Sequence, residues 1–419
     1  MATAAVDVIV VGAGPAGSVA ALVLARSGAR VLLVDKATFP RDKACGDVVG
    51  PRALAVMTTL GLNPPEGPRL GQIVVVGPSG RQVVLPARAG RTYPDHGLAI
   101  TRLVFDAWLR DAAIAAGAEP IVGRVATMQD QTVTLDDGRV FHADAVIGAD
   151  GASSTVASAA GLVDPDAVLW GFAQRTYVRQ HVARPIIALW DDAPWRGFPG
   201  YGWLFPAGDG VANVGLGIGL GADRARASRA VSGLDSFCAH LRSLGLLHAP
   251  VTDRRLGGWL KMGIVGTVAA RGRVLLVGDA AGLVNPLQGE GIAAAMTSAV
   301  AAAQAVLASP DSAATRYCQY LAGGPARFAA VAAPIHAAMV SGSPRRTAVA
   351  GRVLTLPILR RAIAPTWSLS WSDLLDGAPP SLTTASSRAV MAVGRMGTRG
   401  TRVRRALNQG LASGAVDAR

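Results

Sequence analysis

The sequence predicts an α/β protein in which a parallel β-sheet with flanking helices carries an inserted antiparallel β-sheet and a helical C-terminal region. The first observation is a pair of short apolar stretches, 8–11 and 31–35, separated by a glycine-rich loop and a helical pattern. The second is that two later apolar stretches end at 150–151 in Asp-Gly and at 278–279 in Gly-Asp. The third is the stretch 200–219, where aromatic residues alternate along a strand that ends in a glycine-rich turn.

Composition narrows the class of protein. The chain has 419 residues, of which 50% are hydrophobic and 16% charged. This is a globular composition with enough residues for roughly two to three domains. The three cysteines, at 45, 238 and 318, are widely spaced and form no CxxC pair or Cys/His cluster. We therefore expect no disulfide framework, no metal site and a cytoplasmic location, because the N-terminus also lacks a signal peptide.

The charge is concentrated near the C-terminus. Residues 340–419 hold 12 arginines and three aspartates, in a chain whose formal net charge is +13. Such a region suits an anionic membrane surface, nucleic acid or an acidic ligand, and it is also typical of a solvated arginine-rich surface. We expect no nucleic-acid partner, since basic and aromatic residues are not interleaved. The stretch 353–371 suits a peripheral membrane or lid element, with a core helix as the alternative.

The glycine-rich loop fits a dinucleotide-binding pattern of the Rossmann type. Gly12 allows a tight turn, Gly14 lets the backbone approach a pyrophosphate, and Gly17 allows close packing of helix and strand. The helix that follows presents its N-terminus to the phosphates. Asp35 ends the second strand, where it can accept hydrogen bonds from ribose hydroxyls. The loop as a whole comprises Gly12, Ala13, Gly14, Pro15, Ala16 and Gly17.

A second glycine-rich segment indicates a flat ring beside the dinucleotide. Asp279 ends a strand and can hold a ribityl hydroxyl, while Gly289 and Gly291 let the backbone approach a ring. The N-terminus of the next helix would stabilise negative charge on that ring. Residues 291–309 are uncharged and about as long as a membrane span. We expect a buried helix there, because the stretch is mostly alanine and follows directly on the loop.

These motifs resemble those of the geranylgeranyl reductase family, within the FAD-dependent superfamily that has the p-hydroxybenzoate hydroxylase fold. The resemblance covers about residues 6–310. It implies a discontinuous FAD-binding domain with an inserted substrate domain of antiparallel sheet. The expected FAD-binding domain is 1–70, 98–155 and 268–315, the substrate domain is 71–97 and 156–267, and the helical basic region is 316–419. Within the last region, we expect the prolines at 334, 344, 357 and 365 to interrupt helices.

The resemblance also implies which residues hold FAD. Asp35 would hold the adenosine ribose, and the backbone of Val125 would meet the adenine. Arg102 would approach the phosphates or ribityl chain, unless it is an exposed residue at the start of a helix. The other residues implied at the cofactor are Lys36, Cys45, Gly46, Asp279, Gly289, Gly291 and Ile292.

The segment KACGD, 43–47, looks like the family's KxCGG or KxCGD signature beside the flavin. Cys45 is therefore a candidate proton donor to a reduced alkene or a residue that shapes the pocket, with an inert buried cysteine as the alternative. Arg41 and Lys43 would lower the pKa of this thiol if they lie close to it. Asp47 stands where many members have a second glycine, which puts the local pocket shape in doubt.

The strand 200–206 carries the candidate substrate wall. Tyr201, Trp203 and Phe205 alternate, so all three side chains lie on one face of the strand. They form either plain core or the wall of a large apolar pocket, and the family's YxWxFP signature, which cradles a polyprenyl chain, favours the pocket. The tryptophans at 170, 190 and 195 could extend this wall.

Two enzyme functions remain open. The joint presence of KxCGD and YxWxFP favours an FAD-dependent reductase that transfers hydride to C=C bonds of a large isoprenoid or terpenoid-like substrate. The alternative is an FAD-dependent monooxygenase that uses a flavin hydroperoxide to hydroxylate or epoxidise a terpenoid, aromatic or polyketide. The fold hosts both activities. No second GxGxxG motif is present, so we expect NAD(P)H to bind transiently or a reduced electron-transfer protein to be the donor.

Overall fold

A computed structural model describes most of the chain, namely residues 5–77, 80–189, 200–251, 254–341, 364–366, 368–370, 372–397, 401–403 and 405–408. The strands are β1 (Ala5–Val11), β2 (Val31–Asp35), β3 (Val48–Val49), β4 (Arg69–Leu70), β5 (Ile73–Val76), β6 (Gln82–Leu85), β7 (Gly97–Ala99), β8 (Glu119–Val122), β9 (Val125–Gln129), β10 (Thr132–Leu135), β11 (Val140–Gly148), β12 (Leu169–Val178), β13 (Ile186–Ala188), β14 (Gly200–Gly208), β15 (Val211–Gly219), β16 (Leu256–Met262), β17 (Ala270–Arg271) and β18 (Val274–Leu276). The helices are α1 (Pro15–Arg26), α2 (Pro51–Thr59), α3 (Arg102–Ala115), α4 (Thr155–Ala159), α5 (Ser228–Val231), α6 (Gly233–Ser243), α7 (Ile292–Ala308), α8 (Ala313–Gly323), α9 (Pro325–Ser341) and α10 (Leu382–Gly397).

The first sheet has a parallel centre with the strand order β17-β18-β11-β1-β2-β8, and β9 and β10 extend it beside β11. β1 pairs in parallel with both β2 and β11, and β18 and β8 continue the parallel arrangement outward. The central strands are continuously apolar, and their side chains are buried on both faces of the sheet. The carboxyl ends of β1, β2 and β11 therefore meet at one edge, where open α/β sheets bind ligands. The predicted α/β fold is confirmed.

Helix α7 is the predicted buried helix of the uncharged stretch 291–309. Its alanines pack against α1 and are largely inaccessible to solvent. Small side chains on α7 let the two helices approach closely beneath the parallel sheet. Among the described helices, none is both long and apolar enough to cross a bilayer.

The second sheet lies over the first and has the order β16-β12-β15-β14-β13-β5-β6. All its pairings are antiparallel except β13 with β5, which is parallel. All seven strands fall within 71–97 and 156–267, the ranges predicted for the substrate domain. Strands β5 and β6 form one hairpin and β14 and β15 another, and Asp209 and Gly210 make the tight turn of the second with left-handed φ angles of 51° and 68°.

Side chains alternate between the two faces of this second sheet. Leu204 points to a core that α6 completes with Phe237. Trp203 and Phe205 point the other way, toward the loop after β2 that contains Gly46. A short third sheet, in which β7 pairs with β3 and β4, joins the loop after β2 to the rest.

The C-terminal region is mostly helical where it is described, with the non-helical segment 372–380 before α10, but one predicted break is wrong. Pro334 lies inside the continuous helix α9, and its ring is buried. The missing N–H costs α9 one internal hydrogen bond without ending the helix. Helix α10 packs on α9 so closely that a Cβ added to Gly394 would lie 2.7 Å from Cγ1 of Val331. The prolines at 344 and 357 and most of the stretch 353–371 lie outside the described residues.

Packing of α6 on the second sheet depends on a glycine. A Cβ added to Gly202 would lie 2.1 Å from Cζ of the fully buried Phe237. We expect Gly202→Ala to lower the unfolding temperature by about 3 °C or more, because an overpacked core costs about 1–3 kcal/mol. Thermal unfolding followed by circular dichroism measures this. Gly71→Ala is the matched control, since no atom lies within 4 Å of its added Cβ, and equal unfolding temperatures for both variants would contradict the packing argument.

Candidate active site

The glycine-rich loop between β1 and α1 leaves a cradle for phosphates. Gly12 has a φ of +100°, and a Cβ there would lie 2.4 Å from the carbonyl oxygen of Ala149. A Cβ at Gly17 would lie 1.7 Å from the carbonyl oxygen of Gly12, so α1 packs against this loop only because both residues are glycine. Gly14 is the N-cap of α1 and supplies no side-chain cap, and Pro15 follows it. The start of α1 is thus open to an anion.

Asp35 ties the cradle to the end of β2. Its carboxylate accepts hydrogen bonds from the backbone N–H of Ala13 at 2.7 Å and of Ala37 at 2.8 Å. Each carboxylate oxygen has a further lone pair that can accept a bond from a ribose hydroxyl. Two other predicted cofactor residues lie nearby in the fold: Lys36 is exposed, and Val125, predicted at the adenine, is buried at the start of β9. Their contacts with the cofactor remain predictions.

The other predicted cofactor segment lies where β18 leads into α7. Asp279 is in a short 3₁₀ helix, and the ammonium of Lys43 lies 3.7 Å from its carboxylate. A Cβ at Gly291 would lie 3.3 Å from Oδ1 of Asp279, a tight contact that glycine avoids. Gly289 adopts a φ of +73°, and Ile292 begins α7. These residues fit FAD, since the loop, carboxylate and helix start lie in sequence along one edge of the sheet.

Arg102 is buried, which excludes the alternative of an exposed helix-start residue. Its guanidinium donates to Asp106 through Nε at 2.7 Å and Nη2 at 2.6 Å, and Arg41 donates to the same carboxylate at 2.7 Å. Burial alone would lower the pKa of Arg102, but Asp106 outweighs it and raises that pKa. Two guanidinium groups share one carboxylate here, so the cluster keeps net positive charge for an anionic ligand.

A cavity of about 910 Å³ lies between the two sheets and the C-terminal region. Its floor includes the predicted cofactor residues Cys45, Gly46, Arg102, Asp279 and Gly291. Its lining is mostly apolar, as expected of a site for a hydrophobic ligand. The C-terminal side of the lining includes residues of α9 and of the segment 365–384.

The segment 372–377 is fastened across this cavity by polar contacts. Arg52 donates to Asp373 at 3.0 Å, and the Tyr93 hydroxyl donates to the carbonyl of Leu374 at 2.6 Å. The backbone N–H of Arg91 donates to the carbonyl of Gly377 at 2.6 Å. This part of the C-terminal region therefore closes one side of the cavity.

The three predicted aromatic residues form one wall of the cavity together. Trp203 stacks on Phe205 with ring centroids 6.2 Å apart, and Tyr201 meets Trp203 edge-on at 6.3 Å. Tyr201 donates its hydroxyl hydrogen bond to the carbonyl of Gln288, in the loop before α7. A Cβ at Gly46 would lie 3.1 Å from the Phe205 ring, so the aromatic wall packs on the KACGD loop.

Of the tryptophans expected to extend this wall, Trp170 does not do so. Trp170 is buried in the α6 side of the second sheet, packed edge-on against Trp259, and does not line the cavity. It faces away because side chains alternate along β12, and the cavity is lined from the other face of this strand by Gly171 and Ala173. Trp259 lines the cavity instead. The tryptophans at 190 and 195 lie outside the described residues.

Cys45 lies half-buried on the cavity floor, between the cofactor segments and the aromatic wall. The expectation that Arg41 and Lys43 would lower its pKa is wrong, because their side chains turn to Asp106 and Asp279. Burial raises the pKa of the Cys45 thiol, while Arg102 acts in the opposite direction with a smaller effect. The thiol is therefore protonated at neutral pH. The structure thus gives Cys45 the protonation state that a proton donor requires.

Asp47 anchors this floor to the second sheet. Its backbone has a left-handed φ of 61°, a conformation that favours glycine. Its carboxylate accepts hydrogen bonds from the Tyr177 hydroxyl at 2.5 Å, from Nδ2 of Asn213 at 2.7 Å and from the backbone N–H of Arg102 at 3.2 Å. Burial raises the pKa of Asp47, and the bonds from Tyr177 and Asn213 oppose that rise.

Asn213 extends the network to the cavity wall. Its Nδ2 also donates to the carbonyl of Cys45 at 2.7 Å, and its Oδ1 accepts from Nε1 of Trp203 at 2.8 Å. One side chain thus fixes the backbone at Cys45 and the indole of the aromatic wall at the same time. The sequence motifs pointed to neither Asn213 nor Asp106. A polar residue within the apolar strand "VANVGLGI" was the available signal for Asn213.

Comparison with known proteins agrees with these motifs. A family model described as an FAD binding domain matches residues 5–66 and 125–316. A menaquinone reductase of Mycolicibacterium smegmatis is 36% identical over 308 residues, which cover 68% of this chain and 72% of the relative. Digeranylgeranylglycerophospholipid reductase 2 of Methanopyrus kandleri is 33% identical over 311 residues, covering 68% of this chain and 73% of the relative.

Solved structures share the fold at lower identity. A geranylgeranyl bacteriochlorophyll reductase-like protein of Thermoplasma acidophilum has a TM-score of 0.70 and 23% identity, covering 90% of this chain and 100% of that one. A probable FAD-dependent monooxygenase of Pseudomonas aeruginosa has a TM-score of 0.61 and 19% identity, covering 83% and 100%. The family model and the sequence relatives, together with the motifs at the cofactor edge, establish that this chain belongs to the geranylgeranyl reductase family of FAD-dependent oxidoreductases.

Proposed function

We propose that this FAD-dependent oxidoreductase reduces C=C bonds in the polyprenyl chain of a lipid. The observation that carries the proposal is the apolar cavity of about 910 Å³, in which the aromatic wall and the cofactor floor face the same space. The sequence relatives named above support it. Their names denote a quinone and a phospholipid, whose head groups differ and whose common part is a polyprenyl chain.

The chemistry needs a hydride at one alkene carbon and a proton at the other. Reduced FAD, held along the glycine loop, Asp35 and Asp279, would supply the hydride. The Cys45 thiol lines the cavity at the same floor, and this position supports the proposal that its S–H gives the proton. The bond from sulfur to hydrogen breaks, a C–H bond forms, and the thiolate beside Arg102 regains its proton from solvent. The product has gained two hydrogen atoms.

The aromatic wall suits the charge that develops in this reaction. An isolated alkene accepts a proton with difficulty, and positive charge then builds on its more substituted carbon. The faces of Tyr201, Trp203 and Phe205 carry negative electrostatic potential and attract such charge. The same faces pack favourably on the methyl groups of a polyprenyl chain. An aromatic wall is therefore more useful here than an aliphatic one of equal size.

Two further features belong to the proposal. The donor that reduces the cofactor is NAD(P)H or a reduced electron-transfer protein. The alternative reaction is oxygenation of a hydrophobic substrate. A probable FAD-dependent monooxygenase has the same fold, so the fold is compatible with this alternative. The apolar cavity suits either substrate, so the reaction itself must be measured.

The experiment uses the purified yellow protein, reduced by dithionite without oxygen. Geranylgeranyl diphosphate and menaquinone are supplied separately, and product masses are read after the samples are returned to air. A gain of two mass units that survives air oxidation marks a saturated chain bond. A gain on menaquinone that air reverses marks reduction of the ring alone and contradicts the proposal. A gain of about sixteen units that requires oxygen and NAD(P)H marks a monooxygenase.

Substitution of Cys45 tests the proton donor. We expect Cys45→Ala to lower the rate of alkene reduction by about 100-fold, since a positioned general acid contributes about that much. The wild-type rate should stay level through neutral pH and fall only at alkaline pH, because burial raises the pKa of the thiol and the thiolate cannot donate. Cys45→Ala should lack this alkaline fall. Cys238→Ala, in the α6 core, is the control, and a full rate in Cys45→Ala would make Cys45 a pocket residue only.

Substitution of Asp47 tests the anchoring network. Asp47→Asn places an amide N–H₂ among donors, so we expect the free energy of unfolding to fall by about 1–3 kcal/mol. The loosened floor should expose Cys45, which is measured as its rate of alkylation by iodoacetamide in the folded protein. We expect that rate of alkylation to rise about tenfold, because the loop that holds Cys45 should open more often when the network is broken.

The matched control is Asp209→Asn, since Asp209 also has a left-handed φ but is exposed in a turn. Cys238 and Cys318 serve as internal controls in the same sample. Both are buried, so their alkylation would indicate that the whole protein has unfolded. Equal alkylation of Cys45 in Asp47→Asn and wild type would show that the network does not position the thiol.

A further inference from the structure

Lys261 is a buried lysine on strand β16 that the candidate active site does not use. Only 1% of its surface is exposed to solvent. Its neighbours Leu260 and Met262 line the substrate cavity, whereas Lys261 is not part of that lining. The lysine therefore lies behind the cavity wall, and contact with a substrate does not explain it.

The end of β16 lies against the turn that follows β18. The backbone N–H of Ile264 donates to the carbonyl of Gly282 at 2.7 Å. A Cβ added to Gly282 would lie 3.5 Å from Cγ of Lys261. The lysine side chain thus packs on the turn that contains Asp279, one of the predicted cofactor residues.

A second cofactor loop also lies close to Lys261. The carboxylates of Asp150, in the loop after β11, and of Asp279 both act to raise the pKa of this lysine. Asp150 touches the glycine-rich loop, because a Cβ at Gly12 would lie 2.9 Å from the Cα of Asp150. Lys261 therefore lies where the loops after β1, β11 and β18 meet, at the edge of the sheet that fits FAD.

The ammonium of Lys261 has no counterion in contact with it. Among the residues that the structure describes, it makes no hydrogen bond and no ion pair. The carboxylate of Asp150 accepts a hydrogen bond from Oγ of Ser154 at 2.5 Å, at the start of α4. The carboxylate of Asp279 has the ammonium of Lys43 at 3.7 Å. Neither carboxylate thus neutralises Lys261 by direct contact.

A buried charge without a partner is strongly unfavourable, so its presence calls for an explanation. Burial lowers the pKa of Lys261 to about 8, and Asp150 and Asp279 oppose that change. Most of the lysine therefore remains protonated and charged at neutral pH. A charge held in this way suits an anion from outside the chain. At this edge of the sheet that anion is FAD, with its diphosphate and its reduced ring.

We propose that Lys261 is the counterion that the protein provides for bound FAD, and that its charge favours the reduced cofactor. When oxidised flavin takes up two electrons and one proton, its net charge becomes one unit more negative. A nearby buried cation stabilises that added charge more than an exposed one would, because the effective dielectric constant is lower than in water. The inference depends on FAD binding, and it holds whichever reaction the reduced cofactor then performs.

The test is the reduction potential of the FAD-loaded full chain, measured at pH 7 without oxygen against a reference dye. Lys261→Met removes the charge and keeps an unbranched side chain. We expect the equilibrium between oxidised and reduced FAD to shift at least about tenfold toward the oxidised form, which is about 30 mV for a two-electron couple. The variant should also bind FAD at least about tenfold more weakly, measured from flavin fluorescence after dilution.

Two further variants complete the test. Arg254→Met removes an exposed charge just before β16, and it should keep the potential and the FAD affinity of wild type. Lys261→Gln is a second neutral variant, which should behave as Lys261→Met does. Flavin absorbance and the unfolding temperature verify that each protein is folded and loaded.

Four results would overturn this inference. A wild-type potential and affinity in Lys261→Met would show that the lysine only fills space. Weaker FAD binding at an unchanged potential would contradict the claim that the charge favours the reduced cofactor. An equal shift in Arg254→Met would indicate a general effect of net charge. Failure of both neutral variants to fold would assign Lys261 a structural role. The potential is measured without substrate, so the result is independent of the proposed reductase activity.

Discussion

The buried carboxylate of Asp47 is the interaction on which the candidate site depends. Two sheets with different architectures must meet at one short loop, and this loop has little apolar surface of its own. Asp47 receives bonds from β12 and β15 of the second sheet and from the first residue of α3. A left-handed backbone is mildly unfavourable for a non-glycine residue. The three hydrogen bonds offset that cost and fix the position of Cys45 relative to both sheets.

The site follows from this junction. The parallel sheet brings the glycine loop, Asp35 and Asp279 to one edge, as expected for strands that share a direction. The second sheet turns alternate aromatic side chains toward that edge. Asn213 bonds both the Cys45 carbonyl and the Trp203 indole, so floor and wall are held in one register. The C-terminal region then covers the remaining side of the cavity. The cofactor edge and the aromatic wall thereby face one enclosed space.

Features with a local cause were predictable from the sequence. The glycine loop, the parallel strands, the buried helix α7 and the β14–β15 hairpin each depend on residues close together in the chain. The environment of Cys45 was not predictable in this way. Its sequence neighbours Arg41 and Lys43 turn to distant carboxylates, and the cation that acts on the thiol is Arg102, at the start of α3. Side chains of neighbouring loop residues point in different directions, so cations close to Cys45 in the sequence are not close to its thiol in the structure.

Pro334 and α10 show the same limit on a larger scale. A proline inside a helical stretch predicts a break, yet α9 continues through Pro334. Helix α10 turns Gly394 toward α9 and leaves Val390 and Val393 exposed, an arrangement that depends on a contact between distant parts of the chain. The domain boundaries and the cofactor contacts of individual residues stay predictions. They follow from the motifs, and the fold is compatible with them.

The most direct measurement of the central claim is the position of the hydrogens added to a polyprenyl substrate. The protein is reduced by dithionite in D₂O without oxygen, given geranylgeranyl diphosphate, and the product is analysed by fragmentation mass spectrometry. The account predicts two deuterium atoms for each saturated bond, on adjacent carbons of the chain, because the hydride and the thiol proton both exchange with solvent. A product without deuterium on the chain, or no product until oxygen is admitted, would contradict it.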